Sequence, residues 1–164
     1  MRYNITVEEH FPALISLRLA SRRRADIESE LGFALPAPGC SSVSARLTCV
    51  SMAADEWLLI AALADQASVF APLDQLLDGD GGIVVITSDA YCCMHLRGPD
   101  VLSVLTQIVP IDLDAGHFAV GHAARTAFGR SSALIYRRNE HFDVYIDATL
   151  ARYGRKLLEA CADT

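Results

Sequence analysis

The sequence predicts an α+β fold. It reads as a single domain over residues 1–164 in which antiparallel sheets, including a ferredoxin-like βαββα unit over residues 56–109, pack with a strand-rich C-terminal part and a terminal helix. Three observations predict this. Stretches at 13–19, 46–52 and 142–146 alternate in polarity with the period of a strand that has one wet face. Val69, Phe70, Leu73, Leu76 and Leu77 recur at helical spacing between two apolar strand-like runs. The chain has 164 residues, 52% of them hydrophobic and 21% charged, which suits one folded domain with a substantial core.

In chain order, Ile15, Leu17 and Leu19 face one way and Leu14, Ser16 and Arg18 the other, which predicts a half-buried first strand. Residues 21–31 place Ile27 and Leu31 on one helical face, and Gly32 suits a left-handed cap. Pro36 and Pro38 bias their predecessors to extended geometry, so 35–39 is a loop. The strand at 46–52 then leads by a tight connection into Trp57-Leu58-Leu59-Ile60, which is apolar on both faces and so predicts a central strand. Trp57, the sole tryptophan, is the expected anchor for helices starting near 65 and 98.

Pro72 predicts a kink or a late start for the helix over 65–77. Asp78-Gly79-Asp80-Gly81-Gly82 stops it, and the β-branched run 83–86 follows as a strand with 91–97 as its hairpin partner. On that partner Cys92, Met94 and Leu96 make the apolar face. Gly98-Pro99-Asp100 opens a helix whose stripe is Val101, Leu102, Leu105, Ile108 and Val109. Strands at 122–128, 131–137 and 142–146 follow, the last with Phe142, Val144 and Ile146 inward and Asp143, Tyr145 and Asp147 on its wet face. Asp147 caps a final helix along which Leu150, Tyr153, Leu157 and Cys161 share a side.

A net charge of −6 argues against general affinity for nucleic acid or an anionic membrane. The arginines at 18, 22, 23 and 24 read as a solvated face open to an acidic partner. No apolar stretch reaches spanning length and the N-terminus carries no signal-like run, so a cytoplasmic protein is expected. Five cysteines without regular spacing predict free thiols and no disulfide.

The polar constellations are thin. His117 and His122 lack a companion ligand at zinc-motif spacing. Cys92 and Cys93 point to opposite faces of a strand and make no redox pair. Cys93 and His95 share a face, the spacing of a thiol and its base, and define a minor alternative in which the chain is a small thiol enzyme. The glycines at 79, 81 and 82 precede a strand and form a turn, not a phosphate loop, and Asp112 and Asp114 read as turn formers.

Taken together, Asp55-Glu56-Trp57-Leu58-Leu59, Ser88-Asp89, Leu96-Arg97-Gly98-Pro99, Ile111-Asp112-Leu113, Phe118 before Gly121, Arg125-Thr126 and Phe142-Asp143-Val144-Tyr145 resemble the gamma subunit of heterotetrameric sarcosine oxidase, over about residues 31–160. The resemblance implies a reduced form of the folate-binding aminomethyltransferase fold. It further implies a structural or assembly subunit, with no catalytic, cofactor-binding or metal residue of its own, in a complex that oxidatively demethylates sarcosine to glycine and passes the one-carbon unit to tetrahydrofolate. FAD, FMN, NAD and tetrahydrofolate would sit in the larger alpha, beta and delta subunits.

One departure from the aminomethyltransferases supports this. They carry paired aspartates shortly before a Tyr-Lys or similar pair; with Tyr136-Arg137 matched to that pair, Ser131 and Ser132 stand at the acids, and no Asp or Glu lies between Asp114 and Glu140. A hydroxyl is not ionised near neutral pH and cannot replace a carboxylate as proton acceptor. Arg125, Arg137 and Tyr145, polar or amphipathic residues on predicted strands, are the expected partner interface. A free-standing folate-dependent one-carbon protein, or a subunit of a complex acting on another N-methyl amino acid, are the alternatives.

Overall fold

The computed structural model describes residues 2–163. In chain order the first elements are β1 (Thr6–His10), β2 (Ala13–Leu19), α1 (Arg24–Leu31), β3 (Ser41–Val43), β4 (Leu47–Ala53), β5 (Glu56–Ala61) and α2 (Gln66–Leu77). They are followed by β6 (Gly82–Ile86), β7 (Tyr91–Arg97), α3 (Val101–Leu105), β8 (Ala123–Phe128), β9 (Ser131–Arg137), β10 (Phe142–Asp147) and α4 (Ala151–Ala162). Two antiparallel sheets with helices make the α+β class expected from the periodicities. The chain forms two compact units, one from residues 11–88 and one from residues up to 10 together with those from 89 onward.

The unit 11–88 holds a five-stranded sheet in the order β3-β4-β5-β2-β6. Its path β2-α1-β4-β5-α2-β6 is the ferredoxin-like split β-α-β arrangement, which therefore starts at β2 and not at the Trp57 strand. β5 is the middle strand, as its two-faced apolarity requires, and Trp57, Leu58, Leu59 and Ile60 are all buried. On one face Ile15, Leu17, Trp57 and Leu59 pack with Ile27 of α1 and Val69, Leu73 and Leu77 of α2. Trp57 is 3% exposed and its indole N–H donates to the Pro36 carbonyl at 3.1 Å, which ties the 35–39 loop to the sheet. The helix α3 contributes to a different core, so Trp57 anchors α1 and α2 and not the helix after Gly98.

α1 ends on Gly32 at φ 77°, the left-handed cap expected there. α2 runs across Pro72 after a short 3-10 turn over Leu63–Asp65, so the helix neither starts late nor stops at the proline. The arginine cluster is paired within the chain: Arg18 with Glu56, Arg22 with Asp80, Arg23 with Asp26, and Arg24 with Glu28.

The other unit holds a sheet in the order β1-β7-β10-β9-β8. The expected hairpin of β6 with β7 does not form: β6 pairs with β2, while β7 lies between β1 and β10. Residues 87–90 contain no glycine and no residue at positive φ, so they lack the turn chemistry of a two-residue hairpin and instead make a 3-10 turn. One face of this sheet, with Met94, Leu96, Val144, Ile146 and Ile135, packs against Val101, Val104 and Leu105 of α3 and Leu158 of α4. Gly154 lets α4 approach closely, since a Cβ there would lie 3.1 Å from the Met94 methyl and 3.2 Å from Ile146. Asp147 accepts from the Thr149 N–H at 2.8 Å and so caps the turn that leads into α4.

The wet face expected on β10 is the main correction. Asp147 is exposed, but Asp143 and Tyr145 are buried, so both faces of the strand's first half are dry. No helix among the described residues is long and apolar enough to cross a membrane.

Trp57→Ala should lower stability by about 3 to 5 kcal/mol in denaturant melts, through lost burial and the cavity left behind; a loss under about 1 kcal/mol would be incompatible with the packing described. Gly98 lies at φ 122°, and a Cβ there would stand 2.3 Å from the Asn4 carbonyl oxygen. Gly98→Ala should therefore cost about 2 kcal/mol or more and loosen β1, seen as faster amide exchange over residues 6–10.

Candidate functional site

The buried half of β10 faces the same side as alternate residues of β7. Antiparallel register sets Asp143 opposite His95 and Tyr145 opposite Cys93, and period-two alternation aims all four side chains away from the α3–α4 core. Cys92 points the other way, into that core, as the alternation predicts. On the far side of β7, His10 of β1 is opposite Cys93. The segment between β9 and β10 brings up Arg138 and His141.

Asp143 is the centre of this group and has no exposed surface. Its Oδ2 accepts from Arg138 Nε at 2.7 Å and from the Tyr145 hydroxyl at 3.2 Å. Its Oδ1 has His95 Nε2 at 3.2 Å and His141 Nε2 at 3.0 Å. Neither contact has hydrogen-bond geometry, so Oδ1 is buried without a hydrogen-bond partner. The Arg138 guanidinium also stacks over Tyr136 at 4.5 Å. The imidazoles form a row, with ring centroids 4.5 Å apart for His10 and His95 and 4.7 Å for His95 and His141, and His10 at its exposed end.

Burial governs the protonation of this group. It lowers the pKa of His95 and of His141 below the ordinary value despite the neighbouring carboxylate, which leaves both rings neutral at neutral pH. Burial, with the Asp143 charge adding to it, pushes the Cys93 thiol well up, and burial also raises the Tyr145 phenol. A catalytic thiol needs the opposite environment, exposed and electropositive, so the Cys93–His95 spacing does not carry nucleophilic catalysis here. Cys93, His95 and Asp143 nonetheless each aim a ligand atom into one volume, within 4.8 Å of one another.

The remaining sequence candidates fall elsewhere. His117 pairs with Asp112 at 2.8 Å on an exposed loop, and His122 packs its ring edge-on with Phe118. Asp112 and Asp114 accept from the backbone N–H groups of Asp114 and Gly116, as turn formers do. Arg125 is exposed and donates to the Tyr91 hydroxyl. Arg137 is half-buried and donates to the carbonyls of Leu113 and Phe118, so it holds a loop. Tyr145 is 1% exposed and belongs to the Asp143 group; its burial removes it from the interface expected of it. Ser131 and Ser132 begin β9 at the chain's surface side, with Ser132 exposed.

Asp143, Arg138, His141 and His10 were not identified as one group from sequence. Alternation along a strand is visible in sequence; the pairing of β7 with β10 that assembles the group is not.

The sequence matches the sarcosine oxidase, gamma subunit family over residues 21–162. No curated protein matches it in sequence. Among solved structures it is similar to heterotetrameric sarcosine oxidase from Corynebacterium sp. U-96, solved with pyrrole 2-carboxylate: TM-score 0.89 and 22% identity over 98% of this chain and 87% of that one. It is also similar to the glycine cleavage system aminomethyltransferase T from Bartonella henselae, with TM-score 0.73 and 17% identity over 96% of this chain but 46% of that chain. At these identities both likenesses concern the fold, and they agree with the aminomethyltransferase-like fold expected from the motifs.

Asp143→Asn keeps the shape of the side chain but removes the charge that neutralises Arg138. It should cost about 2 to 4 kcal/mol in urea melts, since a guanidinium held partly out of water loses its counter-charge. A cost near zero would mean that the carboxylate does not organise this face.

Proposed function

The chain belongs to the sarcosine oxidase gamma subunit family, and from that premise we propose that it is a non-catalytic assembly subunit of a cytoplasmic complex that oxidatively demethylates sarcosine to glycine. In this reading it acts as one domain over residues 1–164 beside the larger alpha, beta and delta subunits. Those subunits hold FAD, FMN, NAD and tetrahydrofolate, and the one-carbon unit passes to the folate there.

The observation that carries the non-catalytic part is the start of β9. Ser131 and Ser132 occupy the positions matched to the paired aspartates of the aminomethyltransferases, and no acid lies between Asp114 and Glu140. The one buried carboxylate on the neighbouring strands, Asp143, is engaged by Arg138 and Tyr145 within the chain. Assembly is supported by edge strand β6, which leaves Ile83 58% and Val85 43% exposed. Open edges with apolar side chains are a liability in a protein that works alone. Exposed Arg125 remains the interface residue of the strand-rich C-terminal third.

Co-expression with the neighbouring open reading frames, followed by affinity purification on this chain, tests the reading. A yellow, flavin-containing complex that makes peroxide from sarcosine is the expected result. A monomer that binds a folate substrate and transfers its one-carbon unit alone would instead establish the free-standing transferase, and turnover of a different N-methyl amino acid by the complex would correct the substrate.

A further inference from the structure

We propose that Cys93, His95 and Asp143, with His141 beside them, form a structural site for a divalent metal ion of the zinc class. The three ligand-bearing positions of β7 and β10 lie side by side in one sheet register, so the backbone already holds them together. Their ligand atoms converge within 4.8 Å. The decisive feature is Asp143 Oδ1, which is fully buried, lacks a hydrogen-bond partner, and faces two imidazole nitrogens at 3.2 and 3.0 Å. An orphaned carboxylate oxygen inside a protein is expensive, and a cation removes the cost.

The spacing suits zinc. With metal–nitrogen and metal–oxygen bonds of about 2.1 Å, tetrahedral geometry separates neighbouring ligand atoms by about 3.4 Å. The two nitrogen–oxygen distances are near that value, and the thiol has at most about 1.4 Å to travel to complete the set. A thiolate, imidazoles and one carboxylate favour zinc over magnesium or calcium, which take oxygen ligands. The outer oxygen of the same carboxylate is held by Arg138 and Tyr145, the support that a metal-bound carboxylate ordinarily has.

The three converging ligands come from β7 and β10, so a bound ion would pin those two strands together, and His141, 3.0 Å from Asp143 Oδ1, stands beside it. On binding, the Cys93 S–H bond breaks, its electron pair goes to the metal, and the proton is released to solvent; nothing is oxidised or reduced. The site lies within this chain and does not depend on the assembly reading.

The test uses the tag-free full chain, stripped with a chelator and titrated with Zn2+, then with Co2+. One Zn2+ per chain by mass spectrometry, a raised thermal midpoint, and a cobalt–thiolate charge-transfer band are expected. Cys93→Ser should abolish the band, and Cys93→Ser and His95→Gln should each weaken Zn2+ binding at least about tenfold. His117→Ala, on the exposed loop, should leave binding unchanged. Absence of the cobalt–thiolate band in the unaltered chain overturns the proposal, whatever the variants do. So does stoichiometric binding that Cys93→Ser and His95→Gln leave intact.

Discussion

A carboxylate removed from water has to be met by its neighbours, and the Asp143 side chain imposes that requirement on a whole sheet face. It draws Arg138 in from the segment before β10, takes the Tyr145 hydroxyl, and stands between two imidazoles. Each of those groups carries its own desolvation cost. The cost is tolerable because β7 and β10 are rigidly paired, so the polar atoms meet without further loss of conformational freedom. An apolar residue at 143 would leave Arg138, His95 and His141 with nothing to converge on. The dryness of this face and its polarity therefore stand or fall together.

The same pairing explains the division of the chain. β7 has one edge on β10 and the other on β1, a strand from the very start of the sequence. With both its edges occupied, β7 has no place for β6, which closes the other unit's sheet against β2 instead. The close approach of Gly98 to Asn4 and the acceptance of the Asn4 N–H by Asp100 fasten this long-range exchange at the end of β7. Loop-closure entropy rises only slowly with separation, so an N-terminal edge strand can be recruited across some 80 intervening residues at modest cost.

Local structure was well marked in the sequence because it depends on local chemistry. The strands over 91–97 and 131–137, the left-handed cap at Gly32, the Asp147 cap and the central place of the Trp57 strand all follow from residues that act on their own neighbours. Partner choice was not legible. The 6–10 strand, Thr-Val-Glu-Glu-His, is nearly all exposed and carries almost no apolar signal, yet it pairs along its full length. Asp143 illustrates the same limit in a sharper form. An alternating Phe-Asp-Val-Tyr-Ile-Asp run predicts one wet face by every local rule, and only tertiary burial turns Asp143 and Tyr145 into interior residues while Asp147, four positions on from Asp143, stays outside. The candidate site was missed because its defining property, burial of a charge, belongs to the fold and not to the strand.

The distribution of polar chemistry also bears on what a reduced, subunit-like member of this fold retains. At the start of β9 the side chains are neutral hydroxyls, unable to hold a charge or take a proton near neutral pH. On β7, β10 and the segment before β10 the chain keeps a buried carboxylate and a buried thiol beside two half-buried imidazoles and a half-buried guanidinium. Enclosure raises the thiol and lowers the imidazoles, which suppresses the reactivity these groups would have at a surface. Residues arranged in this way are suited to holding strands together. In the assembly reading proposed above, the β6 edge that presents isoleucine and valine to the outside is a surface at which such a chain would meet another.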